Sequence, residues 1–515
     1  PLFSETASEA EHRTAPLSFV NIRESAGWSS DSASKTEKTA ALIAAAAVEV
    51  KPTAVMSIKS EGQCLIYGAG QTVLDAAERL ASRLSVTVVL TDTGDAIPPA
   101  VVDVPLHSGR IRSARGTLGN FAVEFEAFAS AQPSSRDTLA FERPRDGFKS
   151  TCDIILDLSG RPPLFNDTVK RDGYIRVDPD NPVAIAHALF EAADLVGEFE
   201  KPLYISYDET ICAHARNTKI GCRNCLDNCP TGALASNGDI ISVDAAVCGG
   251  CGNCSAVCPT GAISYDYPIR NDIIRRVQVL GETYRRAGGK KPVLLLHDEQ
   301  HGRPLINMIA RYGRGLPANL LPLSVYSVFQ AGHDILAAAF AAGFTHITVL
   351  APPDKPHDLP ALETQAALID AFVAALGIGP GRISILTESD PDIVEENLYA
   401  LSPADIVEAR AFAALGGKRE IARVALSALN AAAPDPQEVV ALPAGAPYGR
   451  LVVDTENCTL CLSCVGACPP GALTADADHP RLLFTEQACV QCGLCVTTCP
   501  EKVIRLEPRF DFTKA

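Results

Sequence analysis

The chain has 515 residues, enough for about three to five domains of ordinary size. Hydrophobic residues make up 47% of the chain and charged residues 21%, values that exclude a disordered protein. The formal net charge of −16 argues against a protein that grips nucleic-acid phosphates, and favours a soluble partner with a basic docking face.

The sequence predicts neither a membrane span nor a secretory leader. A transmembrane helix needs about 18 or more consecutive apolar residues, and the richest window, residues 334–353, is interrupted by Asp334 and His346. The N-terminus lacks a basic region followed by an apolar core and a small-residue cleavage site. We therefore expect a cytoplasmic protein without a transmembrane segment.

The first predicted elements are an N-terminal arm and an α/β domain. Residues 1–56, rich in Ser, Ala, Glu and Thr, predict a mobile or wrapping arm with one short helix within residues 39–50. Residues 57–205 predict a Rossmann-like, doubly wound α/β domain that begins with a β–turn–α–β unit. Its predicted elements are strands over 64–68, 86–91 and 153–159, a hairpin over 111–125, and helices over 72–84 and 183–196.

A second α/β domain with its linker is predicted over residues 269–445. Strands and helices alternate there, which is typical of a Rossmann-like parallel sheet. The predicted strands are 292–297, 318–322, 347–350 and 382–386, and the predicted helices are 304–312, 332–342 and 359–376. Residues 431–447, with four prolines, predict a linker. Residues 206–268 and 446–515 then form two further small domains.

The cysteines identify these small domains. The chain has 18 cysteines, and all but Cys64 and Cys152 fall in the windows 212–258 and 458–499. A secreted disulfide scaffold would spread its cysteines through one small domain, whereas grouped thiols in a protein without an export signal indicate metal binding. We expect Cys64 and Cys152 to be small core residues.

The cysteines follow one repeated spacing. Two residues separate the first cysteine from the second and the second from the third, three residues separate the third from the fourth, and a proline follows the fourth. Three runs have the spacing in full: Cys248-x2-Cys251-x2-Cys254-x3-Cys258, Cys458-x2-Cys461-x2-Cys464-x3-Cys468, and Cys489-x2-Cys492-x2-Cys495-x3-Cys499. The remaining run, Cys222-x2-Cys225-x3-Cys229, has Lys219 where the first cysteine would be. The internal repeat Asp-x3-Cys, seen at Asp208, Asp244 and Asp454, indicates Cys212 as the missing member, followed by a seven-residue insertion. His214 and an external ligand are the alternatives.

Both windows resemble the two-cluster bacterial ferredoxins, a family with small α+β domains. In this family the fourth cysteine of each run ligates the cluster of the other run. The resemblance implies four [4Fe–4S] clusters with the following ligands: Cys212, Cys222, Cys225 and Cys258; Cys229, Cys248, Cys251 and Cys254; Cys458, Cys461, Cys464 and Cys499; and Cys468, Cys489, Cys492 and Cys495. Structural zinc, which prefers two separated pairs of ligands, and a three-iron or degenerate first site are the alternatives.

A weaker signal precedes the first window. Gly68-x-Gly70-x-x-Val73 lies between a predicted strand and helix, and Asp92 ends the next strand, as in a dinucleotide-binding fingerprint for FAD or NAD(P). However, Val73 stands where a third small residue normally allows helix and strand to pack closely. We therefore favour a Rossmann-like scaffold over a nucleotide site.

Two functions are consistent with these patterns. The first is an electron-transfer subunit that relays single electrons through four clusters and is not itself the catalyst. The layout resembles large ferredoxin-type proteins of proteobacteria that accompany formate dehydrogenases, which implies a molybdenum- or tungsten-dependent formate dehydrogenase as the partner. The second is a flavin- or NAD(P)-dependent oxidoreductase whose internal wire starts at residues 68–92. No catalytic acid–base or nucleophile pair is visible in the sequence.

Overall fold

The computed structural model describes residues 3, 5–6, 17–31, 35–99, 103–133, 137–165, 171–401 and 408–514. The parts of the predicted arm and domains that fall between these ranges, and Ala515, lie outside the described residues. None of the described helices combines the length and apolarity needed to cross a membrane.

The described part of the N-terminal arm wraps onto the second α/β unit. It contains a π-helical turn, Arg23–Gly27, and helix α1, Lys35–Ala46, which begins four residues before the predicted segment. Ala41, Leu42 and Ala45 are buried in the core of the second unit. The Lys38 ammonium is also buried and donates to the carbonyl of Pro317 at 3.1 Å, and burial lowers its pKa to about 7.

The first α/β unit is a mixed sheet that, within the described residues, has seven strands. Five parallel strands lie in the order β4-β3-β2-β7-β8, and β5 and β6 continue the sheet antiparallel beyond β4. A separate ribbon pairs β1 with β9. The strands are β1 (Val55–Ser60), β2 (Gln63–Ala69), β3 (Ser85–Asp92), β4 (Leu106–Arg115), β5 (Phe121–Ser130), β6 (Phe148–Cys152), β7 (Ile154–Leu158), β8 (Tyr174–Arg176) and β9 (Gly197–Pro202).

Helices α2 (Gly70–Leu80) and α3 (Pro182–Asp194) cover one face of this sheet. Side chains alternate between faces along a strand, so Ile66 and Leu156 meet the helices while Leu65 and Ile155 face the other way. The opposite face is covered by aromatic side chains of the sheet itself. The described helices of this unit thus lie on one face, whereas a doubly wound sheet carries helices on both.

The first cysteine window forms a small α+β unit. It is framed by the antiparallel pair β10–β15 and contains two hairpins, β11–β12 and β13–β14. Two short helices carry cysteines. The elements are β10 (Ile205–Tyr207), β11 (Ala215–Arg216), β12 (Lys219–Ile220), α4 (Asn224–Asp227), β13 (Leu234–Asn237), β14 (Ile240–Val243), α5 (Asn253–Val257) and β15 (Ile263–Tyr265).

The second α/β unit has a four-stranded parallel sheet in the order β17-β16-β18-β19, counted over the described residues. Alternate residues of its strands belong to two separate cores, and helices cover both faces of the sheet. Three of them, α6, α10 and α11, lie outside the predicted elements. The elements are α6 (Arg270–Arg286), β16 (Val293–His297), α7 (Gly302–Tyr312), β17 (Leu320–Ser324), α8 (His333–Ala341), β18 (His346–Leu350), α9 (Leu359–Ala375), β19 (Ile383–Leu386), α10 (Pro391–Ala400) and α11 (Lys418–Ala432).

The segment predicted as a linker is partly a strand. Within 431–447, β20 (Val439–Ala441) pairs with β24 of the second cysteine unit, so the linker is built into that unit's sheet. Proline-rich sequence does not prevent a short edge strand, which needs few of its own N–H donors. The second cysteine unit contains β21 (Gly449–Val453), α12 (Ser463–Gly466), β22 (Leu473–Ala475), β23 (Leu482–Phe484), α13 (Leu494–Thr498) and β24 (Ile504–Asp511).

Candidate metal centres

The repeated Asp-x3-Cys pattern forms the same backbone turn at all three places. Each aspartate carboxylate accepts a hydrogen bond from the backbone N–H two residues further on, which forms a turn that leads to the cysteine. The three bonds run from Thr210 N–H to Asp208 (2.9 Å), from Ala246 N–H to Asp244 (3.1 Å), and from Glu456 N–H to Asp454 (3.1 Å). Cys212 therefore follows the same local turn as Cys248 and Cys458.

The four predicted ligand sets define four sites. Site 1 is Cys212, Cys222, Cys225 and Cys258; site 2 is Cys229, Cys248, Cys251 and Cys254; site 3 is Cys458, Cys461, Cys464 and Cys499; site 4 is Cys468, Cys489, Cys492 and Cys495.

The thiols of each set in the first unit are close neighbours. Burial, and then the thiols of Cys258, Cys222 and Cys212, raise the pKa of Cys225 to about 12. In site 2, burial and the thiols of Cys251, Cys248 and Cys229 raise the pKa of Cys254 well above its ordinary value. Cys258 thus lies near Cys225 of the first run and Cys229 near Cys254 of the second, which is compatible with the crossed ligand sets.

The second unit groups its thiols in the same crossed way. Burial and the three other thiols of site 3 raise the pKa of Cys464, and burial with the three other thiols of site 4 raises the pKa of Cys495 to about 12. A cavity lies among the four cysteines of site 3, and a second lies among those of site 4. Four converging thiols around a cavity are a donor set that suits an iron–sulfur cluster.

His214 and Lys219, two basic residues of the insertion, are not positioned as ligands of site 1. His214 is buried, and its two ring nitrogens are engaged by the carbonyl of Cys222 at 2.9 Å and the hydroxyl of Ser236 at 2.8 Å. Lys219 lies exposed on β12. His214 therefore orients the backbone beside a candidate ligand, and neither of its nitrogens is directed to site 1.

Among the described residues, no group of three or more His, Cys, Asp or Glu side chains is arranged to hold a single metal ion.

In the Gly68–Asp92 segment, the N-terminus of α2 contacts a carboxylate of the protein. The N–H of Gln71, at the start of α2, donates to the carboxylate of Asp95 at 2.9 Å. A Cβ on Gly70, whose φ is +69°, would lie close to the same carboxylate. Asp92 is exposed and accepts from the N–H of Gly94 at 3.0 Å. The helix N-terminus that would meet a pyrophosphate thus already has an anionic partner.

Gly68 is required by packing. A Cβ there would lie 2.7 Å from both the carbonyl oxygen of Leu158 and Cγ2 of Val73. Val73 therefore fills the space beside the strand that a small residue would leave open. Cys64 and Cys152 are buried in the same unit, at 1% and 8% exposure, as core residues.

Sequence patterns missed a buried charge cluster that joins the second α/β unit to site 2. Lys418, 2% exposed, donates from Nζ to the carbonyl of Ser255 at 2.7 Å, and also to that of Ala256, both on α5. Asp334 lies 4.0 Å from Lys418 and 3.4 Å from Nε of Arg270. No local signal identifies these residues, because α6, α8 and α11 meet only in the folded chain.

A second buried contact holds the first residue of α5. The amide of Asn253 donates to Asp358 at 2.6 Å, and burial raises the pKa of Asp358 to about 6. Polar residues of the second α/β unit therefore contact the helix that carries Cys254 at two places.

Two segments match known domain families. Residues 220–262 and residues 450–504 each match a family of 4Fe-4S dicluster domains. The first match begins after Cys212, and so it leaves this cysteine outside. No curated protein matches the chain in sequence. The chain contains two 4Fe-4S dicluster domains, and these support an iron–sulfur electron-transfer role with a protein redox partner.

Proposed function

We propose that this protein holds four [4Fe–4S] clusters and relays single electrons between a catalytic oxidoreductase and an acceptor. The observation that carries the proposal is the pair of 4Fe-4S dicluster domains, together with sixteen cysteines in two short windows, and the neighbouring thiols support four sets of four. Bound clusters of this kind supply one-electron exchange. With four thiols at every site, no coordination position is left for substrate chemistry.

The sites differ in how far they are buried beneath the protein surface. Site 2 lies behind buried side chains, including Tyr265, whose hydroxyl donates to the carbonyl of Gly250 at 2.6 Å. Site 3 reaches the surface, since Cys461 is exposed beside Leu460 and Leu462. We infer that site 3 is where a redox partner exchanges electrons with the chain.

We propose that both α/β units are Rossmann-like scaffolds and not nucleotide sites. Asp95 at the start of α2 and the tight packing of Gly68 against Leu158 support this assignment for the first unit. We infer that the second unit holds the first dicluster domain in place through buried polar contacts, such as the hydrogen bond from Lys418 to the carbonyl of Ser255.

We propose a molybdenum- or tungsten-dependent formate dehydrogenase as the partner, in the cytoplasm. Support comes from the layout resemblance and from the net charge of −16, which suits a basic docking face.

The cluster content is the first test. We expect about sixteen iron and sixteen acid-labile sulfide per chain after anaerobic reconstitution, because each crossed set of four thiols suits one cubane. Iron, sulfide and zinc are measured on the same protein sample. Eight iron or fewer, or stoichiometric zinc, would contradict the four-cluster proposal.

The relay role is tested by supplying donors to the isolated chain. We expect the reconstituted chain to reduce no viologen dye with formate, NADH or NADPH, because clusters held by four thiols each would leave no coordination position for substrate. Dye reduction should begin when a formate dehydrogenase catalytic subunit is added with formate. It should weaken with rising ionic strength, since salt screens surface charge. Turnover by the chain alone with any of the three donors would favour the enzyme alternative.

A further inference from the structure

The seven-residue insertion in the first dicluster domain forms a well-anchored hairpin. Strands β11 and β12 pair Ala215 with Ile220, and the turn residues Asn217 and Thr218 both have positive φ, as a two-residue hairpin turn requires. The hairpin closes at its base through the N–H of Cys222, which donates to the carbonyl of Ala213 at 2.9 Å.

The rest of the first dicluster domain fixes this hairpin from one side. Asp239, in the turn between β13 and β14, accepts from the N–H of Asn217 at 3.1 Å. His214 bridges the carbonyl of Cys222 and the hydroxyl of Ser236. Since Asp239 and Ser236 both belong to the β13–β14 hairpin, the insertion has a defined position relative to site 1.

The other side of the hairpin contacts the second dicluster domain. A Cβ on Gly221 would lie 2.5 Å from Cγ of Leu494 and 2.9 Å from its Cδ1. Leu494 is the first residue of α13, the helix that carries Cys495, and it is fully buried. The absence of a side chain at Gly221 is therefore what allows the two domains to meet.

This contact makes site 1 and site 4 neighbours. Cys222 follows Gly221 directly and Cys492 lies two residues before Leu494, so the contact brings the Cys492 thiol near that of Cys222. Cys225 of site 1 and Cys254 of site 2 lie in one buried cluster. Each dicluster domain already joins its own two sites through the exchanged fourth cysteine. The described neighbours thus give the order site 2, site 1, site 4, site 3.

We propose that the hairpin of residues 213–221 is a bridge that joins the two dicluster domains into a single electron path, with the crossing between Cys222 and Cys492. This inference rests on the proposed relay function and adds the order of the sites and the residues that set it.

The test compares chains that keep two chosen sites. In one, C248A/C251A and C458A/C461A leave sites 1 and 4; in the other, C212A/C222A and C489A/C492A leave sites 2 and 3. Both are reconstituted, checked for the iron of two clusters, reduced, and examined by low-temperature EPR. We expect a magnetic interaction between the two paramagnets in the first chain and two independent signals in the second. Independent signals in the first chain, or interaction in the second, would overturn the order.

The bridge itself is tested by G221V in the chain that keeps sites 1 and 4. Its side chain must displace Leu494, so the magnetic interaction should be lost while the iron content stays. G466V is the matched control, since Gly466 also lies beside ligand cysteines but a Cβ there meets nothing within 4 Å. Retained interaction in a fully loaded G221V chain would refute the bridge. If G221V does not load iron, the comparison of the two-site chains decides.

These measurements need no partner and no substrate. Turnover of a donor by the chain alone would contradict the relay function and leave the site order intact. Independent signals from sites 1 and 4 would contradict the site order and leave the cluster content intact.

Discussion

Replacing Asp334 with alanine is expected to lower the free energy of unfolding by about 3–5 kcal/mol, because it leaves buried cations without their counter-ion. Asp334 is 1% exposed and is the carboxylate shared by Arg270 and Lys418. Lys418 in turn holds the carbonyls of α5 beside site 2. The change therefore acts on the junction between the second α/β unit and the first dicluster domain.

The measurement is chemical unfolding of the reconstituted chain, followed by circular dichroism and by the visible absorbance of the clusters. Glu282→Ala is the matched control, since Glu282 pairs with Arg286 on the exposed face of α6, the helix that also carries Arg270. An exposed pair four residues apart contributes only about 0.2–0.5 kcal/mol. Equal effects of the two variants would show that the buried cluster does not fasten the units.

Replacing Cys212 with serine is expected to remove or convert one cluster of the four. Cys212 follows the same aspartate turn as Cys248 and Cys458, and its thiol is among those that surround Cys225. Loss of one thiolate ligand leaves site 1 with three, so we expect a new three-iron EPR signal or a loss of about a quarter of the iron. The other three sites should keep their signals.

Cys64→Ser is the control for this variant. Cys64 is equally a cysteine but lies in the core of the first α/β unit, away from every site. Serine there should change stability and leave the iron content unchanged. If Cys212→Ser retains full iron and an unaltered EPR spectrum, Cys212 is not a ligand. An external ligand then becomes the assignment for site 1, since both nitrogens of His214 have other partners.

Much of the secondary structure can be predicted from local pattern. The strand predicted over 86–91 is observed as Ser85–Asp92, and the one predicted over 347–350 as His346–Leu350. Runs rich in Val, Ile, Leu and Thr are typical of buried strands. The predicted domain boundaries and the ligand sets stay predictions that chemical analysis must test.

Local sequence pattern did not predict the structure where contacts with distant parts of the chain determine it. Helix α11 is amphipathic yet begins at Lys418, a residue whose charge would normally lie in solvent and which is buried because Asp334 faces it. The strand Val439–Ala441 forms inside a proline-rich segment because β24 offers it an open edge. In both cases the stabilising partner is distant in the sequence.

The sequence by itself determined the chemistry of the sites. Cysteine spacing limits which thiols can surround one cluster, since short stretches of chain between ligands leave few geometries, and the repeated aspartate predicts Cys212 as a ligand. Only the tertiary structure decided which residues of the two dicluster domains meet. Gly221 and Leu494 belong to different domains, and no local pattern records that a missing side chain on one makes room for the other. The contact of Asp95 with the start of α2 is likewise visible only in the fold, where its carboxylate accepts a hydrogen bond from the N–H of Gln71.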